Sequence, residues 1–99
     1  MKRLFSVFTD DMDHCFFTGA APVERHHIFY SKGGEMKKPC EKYGFVIPLR
    51  PDLHPNGVFA NRKYAKEIDT KLKTMAQEYY EEHYGTREDF RREFRKSYL

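Results

Sequence analysis

The chain has no tryptophan, only two cysteines and no long apolar run. Each scarcity excludes something. A membrane-crossing helix needs about 18–20 consecutive apolar residues, and every apolar stretch here is broken by charge or proline well before that. The opening residues 1–8 begin with basic character, but Asp10 and Asp11 cut the apolar stretch short of a signal peptide. A cytoplasmic protein with no membrane association is the expectation. Cys15 and Cys40 are distant in sequence and form no CxxC pair. A disulfide between them is one reading; reduced thiols suit an intracellular setting better. Internal repeats and low-complexity segments are absent too.

What is present is aromatic. Seven tyrosines and nine phenylalanines supply enough burial to argue against disorder. Ninety-nine residues allow a single domain with one modest core. The net charge of +3 is too mild to specify a partner, so the placement of charge matters more.

Residues 1–12 read as an N-terminal arm and 13–19 as a turn. Residues 23–29 suit a strand, with Ile28 and Phe29 giving it β character. Residues 30–42, with Gly33, Gly34, Pro39 and interspersed charges, read as a long loop of the kind kept for binding. Residues 43–49 form a second strand stopped near Pro48 and Pro51; Pro48 restricts it to an edge pair, a hairpin with the first. A turn over 51–57 leads to a long helix over 61–84. Its Ala65, Ile68, Leu72, Met75, Ala76 and Tyr79 follow helical spacing. Gly85 stops that helix, and Thr86 caps a last one over 86–97, with Glu88 and Asp89 at its start and Phe90 and Phe94 as its buried stripe.

This layout gathers three of the five histidines. His26 and His27 end the first strand, and His54 lies in the turn that a hairpin followed by a helix returns to the strand ends. Neighbours on a regular strand point to opposite faces, so both imidazoles serve one site only where the strand ends or bulges. By spacing alone the doublet fits an ordinary surface pair as well. The chemistry that wants such a set is phosphodiester hydrolysis. One neutral histidine takes a proton from water, and a divalent cation on nitrogen and amide-oxygen ligands stabilises the growing charge.

Glu24-Arg25-His26-His27-Ile28-Phe29, a glycine-bearing loop, then residues 41–54 ending in Arg50-Pro51-Asp52-Leu53-His54 resemble the HNH endonucleases. The likeness is greatest to a small phage and prophage family of that superfamily. It continues through Pro55-Asn56-Gly57-Val58, Asn61, the helix around residues 69–73 and the ending at Tyr98-Leu99, and covers roughly residues 13–99. The resemblance implies an α+β fold with a ββα-metal core over 23–66. It implies His27 as general base, His26 and His54 as metal ligands, and Asn61 as a third ligand or an orienting residue. Ile28 becomes the buried anchor of the strand. The implied cofactor is one divalent ion, Mg²⁺ or Mn²⁺, in a site that also accepts Zn²⁺ or Ni²⁺. The implied partner is DNA inside a bacterial host cell, and double-strand cleavage by a one-site nuclease implies a homodimer or a DNA-processing partner.

The chain departs from that family in three places. Many HNH proteins hold a structural zinc on two CxxC pairs; here the equivalent stretches are Cys15-Phe16-Phe17-Thr18 and Arg50-Pro51-Asp52-Leu53, so a four-cysteine site is excluded. Phe16, Phe17 and Leu53 are expected to replace it as an apolar staple. Phe59 stands where the family often has histidine, and the second strand lacks the usual Asn at Gly44-Phe45. These changes motivate a second reading, a degenerate fold that binds nucleic acid or a protein partner without cutting. Lys32, Lys37, Lys38 and Lys42 load the inter-strand loop, and Arg50, Arg62, Lys63 and Lys66 flank the other side. Of these, Lys32, Lys37, Lys38, Arg50, Arg62 and Lys63 are the candidate nucleic-acid contacts.

Overall fold

In the computed structural model, which describes residues 4–31, 33–54 and 61–99, two short strands lie against three helices. The order is β1 (Glu24–His27), α1 (Lys37–Tyr43), β2 (Val46–Leu49), a 3-10 turn at Pro51–Leu53, α2 (Arg62–His83) and α3 (Arg87–Phe94). The expected α+β class and the order of hairpin, long helix and short last helix are all present. Among the described residues no helix is long and apolar enough to cross a membrane.

The strands pair antiparallel, Glu24 opposite Leu49, Arg25 opposite Pro48, His26 opposite Ile47 and His27 opposite Val46. Ile28 continues the ladder by donating its N–H to the Phe45 carbonyl at 2.9 Å. Antiparallel pairs alternate between bonded and non-bonded positions. Glu24 and His26 therefore aim their N–H groups at β2, while Arg25 and His27 turn theirs outward. Pro48, opposite Arg25, falls where no inter-strand donor is needed, which is why β2 tolerates it. On its outer edge the Pro48 carbonyl accepts from Phe16 N–H at 2.9 Å, and the Gly44 carbonyl accepts from Val7 N–H at 2.8 Å. The N-terminal segment thus covers the far side of β2.

The loop expected over 30–42 is half helix. Residues 37–43 form α1, which also moves the start of the second strand from 43 to Val46. Pro39 sits in the first turn, where a missing N–H breaks no helical bond. Gly44 ends the helix at φ 74, a left-handed position that suits glycine. The lysines and the proline hid the helix from a pattern search. What anchors it is Cys40, fully buried, whose Sγ accepts the Phe29 N–H at 3.3 Å and donates to the Phe29 carbonyl at 3.2 Å. Both cysteines are free and buried.

The core is aromatic, centred on Phe29. Its ring lies 4.6 Å from Phe94, 5.3 Å from Phe90 and 6.0 Å from Phe45 between centroids. Helix α2 buries Ala65, Leu72, Ala76 and Tyr80, with Ile68, Met75 and Tyr79 at the margins. Thr86 caps α3 in a reciprocal box with Asp89. Two expectations need correction. The first strand and last helix are shorter than the 23–29 and 86–97 ranges read from pattern. Phe16 is not part of an apolar staple: Leu53 is buried and Phe17 half-buried, but Phe16 is exposed and touches only the edge of Phe17.

Gln77, a buried amide on α2, was not anticipated. Its Nε2 donates to Glu81 Oε2 and Ser97 Oγ, both at 2.9 Å, and its Oε1 accepts the Tyr98 N–H at 2.6 Å. Gln77→Ala leaves a cavity and strips the Tyr98 N–H of its acceptor. It should cost about 2–4 kcal/mol by urea denaturation, and limited proteolysis should then release the last residues before the core opens.

Candidate functional site

Alternation along β1 sorts its side chains into two sets. Glu24 and His26 share the face toward His54; Arg25 and His27 share the other. The 3-10 turn carries His54, which docks edge-on against the buried His26, with ring centroids 4.7 Å apart and planes at 81°. Glu24 Oε1 lies 3.7 Å from His54 Nδ1. Behind His26, Lys73 pairs with Asp69 at 3.0 Å and sits 4.3 Å over the Tyr30 ring. His54 and His26 therefore meet as the hairpin-then-helix layout required.

Among the described residues, four side-chain atoms here are buried without a hydrogen-bond partner: Glu24 Oε1, His26 Nε2, His54 Nδ1 and Asp69 Oδ1. An orphaned buried polar atom costs about 1–3 kcal/mol, and native folds leave few without an ion, a water or a function to explain them. Burial pushes the His26 pKa down to about 3, helped by the neighbouring His54, His27 and Lys73. Burial also holds His54 below the usual histidine value, against the pull of Glu24. Two neutral imidazoles and a carboxylate are the kinds of donor a divalent transition metal takes. Among the described residues, however, no three His, Cys, Asp or Glu side chains already close on a single point. The arrangement is a histidine pair with a carboxylate approaching one member.

His27 has a different partner. Its Nε2 lies 3.0 Å from Glu41 Oε1, carried by α1. Residues of both faces line one open pocket of about 340 Å³, Arg25, His26, His27, Tyr30, Lys37 and His54 among them. The doublet thus borders one pocket with no bulge in the register of β1.

The remaining candidates are scattered. Asn61 is the exposed N-cap residue of α2; its backbone N–H donates to Asp52 at 2.8 Å and its side chain makes no capping bond. Lys37 lines the pocket, while Lys38, one residue on, borders a separate groove with Pro39 and Lys42. Arg50 is committed to Asp52, with Nη2 donating to Oδ2 at 2.8 Å. Arg62 and Lys63 are exposed in the first turn of α2. Lys32, Phe59 and the turn over 55–57 lie outside the described residues. Three residues at the site escaped the sequence reading. Glu24 carried a usable signal, being two positions before His26 on a strand, and Arg25 shared the same alternation with His27. Glu41 carried none, because its helix was read as loop.

Searches against protein-family models, curated proteins and solved structures return no match for this chain.

His26 also predicts an acid response. Its folded pKa lies below the unfolded value near 6.5, so between about pH 6.5 and 3 the unfolded chain binds more protons. Its contribution to stability is therefore present above pH 6.5 and is lost as pH falls toward 3, at up to about 1.4 kcal/mol per pH unit. Urea midpoints measured with chelator across that range should show a steeper acid decline for the wild type than for His26→Gln.

Proposed function

We propose that this protein is a metal-dependent endonuclease of the ββα-metal (HNH) kind, hydrolysing phosphodiester bonds in DNA. The observation that carries the reading is that His26 Nε2, His54 Nδ1 and Glu24 Oε1, each buried with no hydrogen-bond partner among the described residues, belong to one cluster beside a pocket that His27 also lines. His26 and His54 would hold the cation, with Glu24 in place of Asn61 as the third donor. A bound divalent ion supplies charge stabilisation for the phosphate and the leaving oxygen. Two imidazoles and one carboxylate favour Mn²⁺, Ni²⁺ or Zn²⁺ over Mg²⁺, which prefers oxygen ligands and retained water.

The chain's own residues do the rest. His27 takes the proton of the attacking water on Nδ1, the nitrogen that Glu41 leaves free. Arg25 and Lys37 flank the pocket and neutralise the phosphate. The charges of α2 support an anionic partner. Arg62, Lys63 and Lys66 crowd its N-terminal end, which has no acid in the first turn, while Glu78, Glu81 and Glu82 sit toward its C-terminal end. That order opposes the helix dipole, weakening the helix while making its positive end more attractive to phosphate.

A second reading is a degenerate member that binds nucleic acid or a host protein without cutting. The lack of a ready-closed ligand set among the described residues favours it. Supercoiled plasmid incubated with each metal separates the two. The wild type should nick with Mn²⁺ or Ni²⁺ and more slowly with Mg²⁺, and His27→Ala should lose about 10²–10⁴-fold. An intact plasmid in every metal, or equal nicking by the mutant, defeats the catalytic reading.

The reversed charges give a test with opposite signs. Arg62→Glu with Lys63→Glu should raise folding stability by about 0.3–1 kcal/mol per site. The same pair should weaken DNA binding and flatten its salt dependence.

A further inference from the structure

Helix α1 packs against the end of β1 through two side-chain contacts made by consecutive residues. The buried Cys40 thiol both accepts from and donates to the Phe29 backbone. The next residue, Glu41, reaches His27, two positions before Phe29, at 3.0 Å from Nε2. The first contact holds the helix; the second is then delivered with little freedom left.

We propose that Glu41 is a positioning residue that fixes the ring orientation and tautomer of His27. For its bearing on catalysis this rests on the nuclease reading above. A carboxylate offers only acceptors, so the bonded Nε2 must carry the hydrogen. The neutral ring then has its lone pair on Nδ1. Among the described residues Nδ1 has no hydrogen-bond partner, and His27 lines the pocket. Glu41 thereby assigns the acceptor role to the ring nitrogen that it does not itself engage. An ordinary surface ion pair would hold neither group; here the His27 side chain is only 18% exposed while Glu41, at 48%, can be changed without opening the core.

Two variants separate positioning from charge. Glu41→Ala removes the acceptor, whereas Glu41→Gln keeps an amide oxygen that can accept the same bond. In ¹⁵N-histidine-labelled, metal-free protein, the wild type should show a slowly exchanging, downfield Nε2–H signal that disappears in His27→Gln. Glu41→Ala should lose it and Glu41→Gln should retain it, with both variants melting within a few degrees of the wild type. In the nicking assay Glu41→Ala should lower kcat about 10–100-fold with KM for DNA little changed, and Glu41→Gln should recover most of the loss. A missing wild-type signal, or one that survives in Glu41→Ala, overturns the positioning role, as does a loss confined to KM. If the wild type cuts nothing, the nuclease reading fails, and the N–H signal still decides whether Glu41 positions the ring.

Discussion

The contact between the Cys40 thiol and the Phe29 backbone is the constraint on which the rest of the molecule hangs. After β1 the chain leaves the sheet, and the Phe29 amide and carbonyl need partners in the interior. A side-chain sulfur supplies both from α1. That leaves the Phe29 ring free to sit at the centre of the aromatic core against α3 and β2. It also sets the helix where the following residue, Glu41, touches His27. Burial pushes the Cys40 thiol pKa up to about 12, so the group is a structural bridge and not a nucleophile.

The legible parts of the fold were those written in long periodic patterns. Helix α2 was evident from spacing that extends over about four turns, and α3 from Thr86, Asp89 and its phenylalanines. Helix α1 was not, because seven residues rich in lysine and carrying Pro39 resemble a loop until a buried thiol is known to hold them. The site divides the same way. The meeting of His26 with His54 followed from topology, and the opposite facing of His26 and His27 from strand alternation. Glu41 depended on a tertiary contact with no local signature, and the Arg50–Asp52 pair on a geometry that charge counting does not reveal.

Local folding rules are kept in one part of this chain and broken in another. Local consistency governs the aromatic core, the capping box of α3 and the satisfied amide of Gln77. It breaks down where Glu24, His26 and His54 bury polar atoms that have no partner among the described residues, and where α2 carries its charges against its dipole. Folds depart from their own local rules most often where something other than folding is required. Both departures lie at the same end of the molecule, since the Asn61 N–H to Asp52 bond ties the start of α2 to the turn that carries His54.

The two edges of the sheet are unlike. The outer edge of β2 is occupied by the N-terminal segment through Val7 and Phe16, and Pro48 offers no donor there. Strand addition by a second molecule is thus closed off on that side. The only other edge belongs to β1, four residues long, with Arg25 on it and the pocket beside it. Arg25 and its partner Asp13, 3.4 Å apart, put charge beside that edge, which discourages edge-to-edge aggregation.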